Sequence, residues 1–88
     1  MIRRDSMAGS LESNDIMVEI HPNQNGIEIE LNSPVADLFG EQILKVAHEV
    51  LKEYNVENIK LILNDKGALD YTIRARIITA LQRGVNNG

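Results

Sequence analysis

Apolar and polar positions alternate in three short stretches of the chain. In residues 16–21, Ile16, Val18 and Ile20 occupy every second position. Residues 27–32 alternate in the same way, with isoleucine and leucine on one face and glutamate on the other. Residues 58–64 form a third alternating run. A period of two is typical of strands with one buried face, so the pattern predicts three strands.

The segment between the first two alternating runs has the composition of a loop. Pro22 cannot continue the hydrogen-bond ladder of a central strand. Asn25 and Gly26 tolerate the positive φ angles that tight turns require. Two alternating runs across such a loop predict a β-hairpin formed by residues 16–21 and 27–32.

Two longer stretches repeat apolar residues every three or four positions, which predicts two helices. The first is expected to run to about Tyr54, after Ser33 as the capping residue and Pro34 at the first helical position, with Asn55 as a left-handed C-cap. Its apolar stripe comprises Val35, Leu38, Phe39, Ile43, Val46, Val50 and Tyr54. The second covers residues 69–84, with Asp65 and Asp70 as candidate first-turn carboxylates, and its stripe comprises Leu69, Ile73, Ile77 and Leu81.

The resulting order is ββαβα, which indicates an α+β fold. Laying both helices on one face of a three-stranded mixed sheet buries all five apolar faces in a small two-layer sandwich. Residues 1–14 are polar and aperiodic, so we expect a flexible leader there and not a packed element. Residues 15–88 then form a single domain, as the chain length of 88 residues also suggests.

Composition excludes several kinds of function. The sequence contains no cysteine, which rules out disulfides, thiolate catalysis and cysteine-based metal sites. A net charge of −4 argues against a nucleic-acid partner, and no segment has the apolar length of a membrane span or a secretory signal. His21 and His48 lack the spacing of a helical zinc site. We therefore expect a soluble cytoplasmic protein whose partners are other proteins.

Charge is distributed unevenly along the chain. Residues 66–88 carry a net charge of +3, whereas the first 65 residues carry −7. One interpretation is a solvated helix face with an Asp70–Arg74 pair at i, i+4. The other is a docking strip of Arg74, Arg76 and Arg83 for an acidic partner or for the phosphates of a tethered cofactor.

Ser13 lies in a polar segment just before the first predicted strand, between Glu12 and Asp15. A loop serine of this kind is often only a local turn former. It is also placed as a modification site would be, because another enzyme could reach it. The two flanking carboxylates would repel an attached phosphodiester and direct it away from the protein surface. Ser10 is the nearby alternative.

Three segments resemble the acyl carrier subunit, or gamma chain, of citrate lyase. They are AGSLESNDIMVEI at 8–20, LFGEQI at 38–43 and DKGALDYTIRARIITAL at 65–81, in the same order as in that family. The resemblance implies a carrier without a catalytic centre, in which residues 15–88 form the acyl carrier domain. It also implies that Ser13 bears covalently attached 2'-(5''-phosphoribosyl)-3'-dephospho-CoA through a phosphodiester. The sequence departs from the family pattern at Asn14, where a glycine or serine is usual.

The resemblance also implies a set of partners. A transferase (alpha) subunit would exchange acetyl for citryl on the prosthetic group, a lyase (beta) subunit would cleave the citryl thioester, and a separate prosthetic-group transferase would modify the serine. Two alternatives stay open. One is the carrier subunit of malonate decarboxylase, and the other is a non-catalytic adaptor that binds through Arg74, Arg76 and Arg83.

Overall fold

A computed structural model describes residues 1–85 of the chain. These residues form four strands and two helices in the order βββαβα. The elements are β1 (Ser6–Gly9), β2 (Ile16–His21), β3 (Ile27–Asn32), α1 (Ala36–Glu53), β4 (Ile59–Asp65) and α2 (Asp70–Val85).

The strands form one mixed sheet in the order β1-β2-β4-β3. β1 pairs with β2 and β2 with β4 in antiparallel fashion, whereas β3 and β4 are parallel. Leu63 of β4 lies opposite both Val18 of β2 and Leu31 of β3, so the apolar positions of the three strands share a face. Both helices pack on that face. The predicted α+β class with two helices and a mixed sheet is confirmed, but the sheet has four strands instead of three.

The predicted hairpin of residues 16–21 and 27–32 is wrong, because β4 lies between β2 and β3. Ile59, Leu61 and Leu63 of β4 are fully buried. A strand of this kind is most stable in the centre of the sheet, where both of its edges have ladder partners. β3 carries Glu28 and Glu30 on its exposed face and takes an edge, a common place for charged strands.

The predicted flexible leader is also wrong for residues 6–9, which form β1 on the outer edge of β2. Ala8 and Ile2 are buried in the core, and the backbone N–H of Arg3 donates to the Gly84 carbonyl at 2.9 Å. Four residues are too few to show a period of two, so the sequence gives little signal for this strand. The unpaired backbone groups along the edge of β2 nevertheless favour a partner strand.

α1 begins later than predicted. Its N-cap residue is Val35, and Ser33 does not cap the helix. The Ser33 hydroxyl instead donates to Asp65 Oδ2 at 2.8 Å and accepts from the Val35 N–H at 3.2 Å. Asn55 has φ 55°, which confirms the predicted left-handed residue after the helix.

Only the middle of the predicted α1 stripe reaches the core. Ile43, Val46 and Val50 are buried, whereas Leu38, Phe39 and Tyr54 are exposed. Leu38 and Phe39 therefore stay outside the core, although both fit the helical period.

The α2 stripe is confirmed for Ile73, Ile77 and Leu81, which are buried against the sheet. Leu69 is exposed and precedes the helix, which begins at Asp70. Asp65 is fully buried, and its Oδ1 accepts from the Ala68 N–H at 2.9 Å just before the helix starts. Within residues 1–85, neither helix has the length and apolar character needed to cross a membrane.

Candidate functional site

Ser13 lies at the tip of the segment that joins β1 to β2, here called the serine loop (residues 10–15). The Asp15 N–H donates to the Glu12 carbonyl at 3.1 Å and closes a turn whose central residues are Ser13 and Asn14. The Ser13 side chain is exposed, and its hydroxyl makes no hydrogen bond within residues 1–85. Another enzyme can therefore reach this oxygen without first breaking an internal contact.

Asn14 adopts a left-handed backbone conformation with φ 66°. Glycine and asparagine are the residues that adopt this region most readily. The departure from the family pattern at this position is therefore compatible with the turn. The conformation also explains why a glycine suits the same position.

The serine loop is joined to the loop between β4 and α2. The Asn14 N–H donates to the Lys66 carbonyl at 2.8 Å, and the Lys66 N–H donates to the Asp15 carbonyl at 2.9 Å. Gly67 follows with φ 89° and lies beside the Asn14 side chain. Two of the segments that carry the family resemblance thus meet in space, although about fifty residues separate them along the chain.

Asp15 is held by an ion pair from α2. Arg76 Nε donates to Asp15 Oδ1 at 3.0 Å, and Arg76 Nη2 donates to Oδ2 at 2.9 Å, which is a bidentate geometry. The Ile16 N–H adds a third hydrogen bond to Oδ1 at 2.7 Å. The hydrogen bond from Arg76, followed by that from Ser10, lowers the pKa of Asp15 to about 2, so the carboxylate is ionised at neutral pH.

Ser10 differs from Ser13 in its hydrogen bonding. The Ser10 hydroxyl donates to Asp15 Oδ2 at 2.6 Å and accepts from the Glu12 N–H at 3.2 Å. Ser10 is also only partly exposed. Of the two serines that the sequence offers as alternatives, Ser13 alone has a free hydroxyl.

The electrostatic surroundings of Ser13 differ from the expectation of two repelling carboxylates. Glu12 is exposed, as expected. Asp15 instead lies against the Arg76 guanidinium, with its side chain only 14% exposed, and this pairing neutralises its charge. One carboxylate remains beside Ser13 to repel an attached phosphodiester.

The three arginines of the expected docking strip point to different parts of the protein. Arg74 pairs with Glu53 at the end of α1. Arg83 Nη1 donates to the Met7 carbonyl at 2.7 Å, on the same flank of α2 as Arg76. The strip is therefore divided between two flanks of the helix. The expected Asp70–Arg74 pair is wrong, because the Asp70 carboxylate accepts from Gln42 Nε2 at 2.7 Å.

The histidines lie apart from this region. His21 Nδ1 is 2.8 Å from Asp5 Oδ1, and His48 is exposed on α1. In the part of the chain that the structure describes, no group of three or more histidines and carboxylates is arranged to hold a metal ion.

An apolar groove of about 670 Å³ lies beside the serine loop, between the first turns of α1 and α2. Exposed Phe39, Leu69 and Tyr71 contribute to its lining, and so does Gly67. A larger cavity of about 840 Å³ lies at the opposite end of β2, near Pro22 and Asn58. No residue of the serine loop lines this cavity, so we do not assign it to the site around Ser13.

The sequence predicts Ser13 as the modified residue, but it does not indicate the Arg76–Asp15 pair. The two residues are 61 positions apart, so no helical or strand spacing relates them. The charge pattern places Arg76 either on a solvated helix face or in a docking strip, and neither interpretation includes a contact with Asp15. The segment at 65–81 contains Arg76 and supports the family resemblance, but its sequence does not show which acidic residue Arg76 contacts.

Comparison with known proteins supports the resemblance. The family model described as "ACP: Malonate decarboxylase delta subunit (MdcD)" matches residues 3–84. A citrate lyase acyl carrier protein of Treponema denticola is 50% identical over 82 residues, which cover 93% of this chain and 93% of that protein. The protein of the same name from Lactobacillus helveticus is 49% identical over 82 residues, covering 93% of this chain and 84% of that one.

The fold also resembles that of a solved structure. A chain in the crystal structure of a Pseudomonas malonate decarboxylase hetero-tetramer in complex with malonate superposes with a TM-score of 0.81 and 18% sequence identity. The match covers 92% of this chain and 84% of that chain. At this level of identity the likeness establishes the fold alone.

Proposed function

Because this chain belongs to the citrate lyase acyl carrier protein family, we propose that Ser13 carries the prosthetic group 2'-(5''-phosphoribosyl)-3'-dephospho-CoA. The protein acts as a carrier subunit and not as a catalyst. The observation that supports Ser13 is its exposed hydroxyl at the tip of a turn, free of internal hydrogen bonds. The space around it is open, so the residues present are compatible with a large attached group.

Attachment at this position is a phosphoryl-transfer reaction. Ser13 Oγ attacks the phosphorus of an activated donor in which the ribose 5''-phosphate bears a diphosphate leaving group. The new O–P bond forms as the bond from phosphorus to diphosphate breaks, and the hydroxyl proton passes to a base on the prosthetic-group transferase. Within this chain, the turn of residues 12–15 exposes the attacking oxygen.

The absence of cysteine agrees with this role. When bound, the prosthetic group supplies the thiol that holds acetyl and citryl as thioesters for the transferase (alpha) and lyase (beta) subunits. The folded domain anchors the tether at Ser13. Attachment to a common carrier makes each delivery intramolecular, so an effective concentration replaces the diffusion of a free coenzyme.

A second candidate is the carrier subunit of malonate decarboxylase. It is favoured by the description of the matching family and by the likeness in fold to a chain of the Pseudomonas complex. Sequence identity of 50% to a citrate lyase acyl carrier protein favours the citrate enzyme, compared with 18% to the malonate decarboxylase chain. The two candidates share the carrier role and differ in the acyl group.

Intact-mass measurement of protein purified from its native cells tests the proposal. We expect one covalent adduct with the mass of the prosthetic group, mapped to the peptide that contains Ser13. The variant Ser13→Ala should lack the adduct and the matched variant Ser10→Ala should retain it. Unmodified wild-type protein in a preparation that cleaves citrate would contradict the proposal. Exchange of acetyl for malonyl on the adduct, but not for citryl, would favour the second candidate.

A further inference from the structure

We propose that Arg76 is a positioning residue for modification of the carrier. Through Asp15 it holds the serine loop so that Ser13, and not Ser10, is presented to the prosthetic-group transferase. The inference rests on the proposed attachment at Ser13. It explains why the transferase would modify Ser13 and not Ser10.

Arg76 is carried by a helix that is anchored in the core. α2 is packed on the sheet through Ile73 and Ile77, which are fully buried. Arg76 lies between them in sequence and extends towards the serine loop, where its planar guanidinium binds both carboxylate oxygens of Asp15. Two parallel hydrogen bonds fix orientation as well as distance. The loop is thereby fixed to the body of the domain.

Several hydrogen-bond donors converge on Asp15. Its two carboxylate oxygens accept from the Arg76 guanidinium, from the Ser10 hydroxyl and from the Ile16 N–H. The beginning and the end of the serine loop are therefore tied to one carboxylate. Ser13 lies between these ties and takes no part in them, so its hydroxyl is left exposed while that of Ser10 is occupied.

The chain leaves space for the Arg76 side chain beside Gly9. Gly9 adopts φ 98° at the end of β1, and a Cβ added there would lie 3.3 Å from Arg76 Cδ and 1.8 Å from the Ile16 carbonyl oxygen. A glycine is thus required for the backbone of the loop to come this close, and the aliphatic part of Arg76 packs beside it. The Arg76 side chain therefore packs directly against the backbone at the start of the serine loop.

Arg74 supplies the matched comparison. It lies two residues away on the same helix and is equally exposed, but it pairs with Glu53 on α1, away from the serine loop. A general loss of positive charge on α2 would be equal in Arg74→Ala and Arg76→Ala. Only the second variant removes the guanidinium that fixes the Asp15 carboxylate, and with it the Ser10 hydroxyl that donates to that carboxylate, to α2.

The experiment uses the full unmodified chain, the prosthetic-group transferase and its activated dephospho-CoA donor. We compare wild type, Arg76→Ala, Arg76→Lys, Asp15→Asn and Arg74→Ala by rate of modification and by peptide mapping of the adduct. For Arg76→Ala we expect kcat/KM at Ser13 to fall roughly tenfold to hundredfold, because a displaced nucleophile reacts more slowly. Part of the adduct should appear on Ser10. Arg74→Ala should match wild type in both rate and site.

Two further variants separate positioning from a simple loss of folding. Arg76→Lys retains the charge but cannot form two parallel hydrogen bonds, so a smaller loss at Ser13 is expected in a folded protein. In Arg76→Ala combined with Ser10→Ala, the slow reaction at Ser13 should persist without a second adduct. Thermal unfolding of each variant verifies that the domain is folded at the assay temperature.

Two results would overturn the inference. If Arg76→Ala is modified only at Ser13 and at the wild-type rate, Arg76 does not position the loop, while the proposed function stands. If wild-type protein carries its adduct on another residue, both the inference and the proposed attachment site fail. The site found in wild-type protein therefore distinguishes the two failures.

Discussion

The two loops at the ends of β2 are fixed to the protein in different ways. The serine loop precedes the strand, and the loop of residues 22–26, here called the crossover loop, follows it. Both loops are polar, and each involves a glycine with positive φ, Gly9 just before the first and Gly26 at the end of the second. The serine loop is bound to α2 by an ion pair, whereas the crossover loop is bound to the start of β4 by neutral hydrogen bonds.

The crossover loop passes over the end of the central strand. Asn23 Nδ2 donates to the Gly26 carbonyl at 2.9 Å, and the Gly26 N–H donates to Asn58 Oδ1 at 2.8 Å. The Ile59 N–H then donates to the Gly26 carbonyl at 3.0 Å, at the point where β4 enters the sheet. Hydrogen bonds within the loop and to the start of β4 thus hold this loop in place. The serine loop is bound instead by a side chain from the helical layer, through the two hydrogen bonds from Arg76 to Asp15.

The largest effect is expected from Gly9→Ala. The added Cβ would overlap the Ile16 carbonyl oxygen, and the φ of 98° is unfavourable for alanine. Backbone strain and overpacking each cost roughly 1–3 kcal/mol, so unfolding free energy should fall by about 3 kcal/mol or more. Urea unfolding followed by circular dichroism measures this change. A loss below about 1 kcal/mol would show that the close approach at Gly9 is not maintained in solution.

The next largest effect is expected from Arg76→Ala. The substitution leaves the Asp15 carboxylate, whose side chain is mostly buried, without its two charged hydrogen bonds. We expect a loss of roughly 1–2 kcal/mol, since the arginine itself is partly exposed and the pair is screened by solvent. Arg74→Ala removes a pair in which both partners are well exposed, so its loss should stay below about 0.5 kcal/mol. If urea unfolding showed the same loss of unfolding free energy for both variants, Arg76 would contribute no more to stability than Arg74.

Asp15 should also make stability depend on pH. Its pKa is lowered to about 2 in the folded protein, so ionisation of the carboxylate stabilises the fold above the ordinary pKa of 3.8. This contribution, roughly 1–2 kcal/mol after solvent screening, is lost as pH falls from about 4 to about 2. The difference in unfolding free energy between wild type and Asp15→Asn should therefore be constant from pH 5 to 7 and shrink below about pH 4. A difference that persists unchanged at pH 2 would exclude the ionised pair as its cause.

Gly26→Ala should have a smaller effect than Gly9→Ala. Its φ of 89° is also unfavourable for alanine, but nothing lies within 4 Å of the added Cβ. The only cost is the unfavourable backbone conformation of alanine, so we expect the unfolding free energy to fall by about 1 kcal/mol. The same urea titration gives the ratio of the two effects. A loss at Gly26 as large as that at Gly9 would mean that conformation, and not crowding, dominates at both positions.

The sequence predicts an element best where the spacing of apolar residues within one short segment is enough to define it. The alternation of Ile16, Val18 and Ile20 and the helical repeat of Ile73, Ile77 and Leu81 both predicted buried faces that the structure confirms. It failed for β1, whose four residues are too short to show a period. It also failed for the hairpin, because alternation predicts which face of a strand is buried and not which strand lies beside it.

The amino-acid sequence by itself determined the α+β class, both helices and three of the four strands within residues 1–85, and through family resemblance it predicts Ser13 as the modified residue. These features depend on residues within a few positions of one another. Only the tertiary structure placed β4 between β2 and β3 and brought Arg76 to Asp15 across 61 positions. Strand order and ion pairs between distant residues depend on how all the elements pack together. A pattern within one short segment therefore does not predict them.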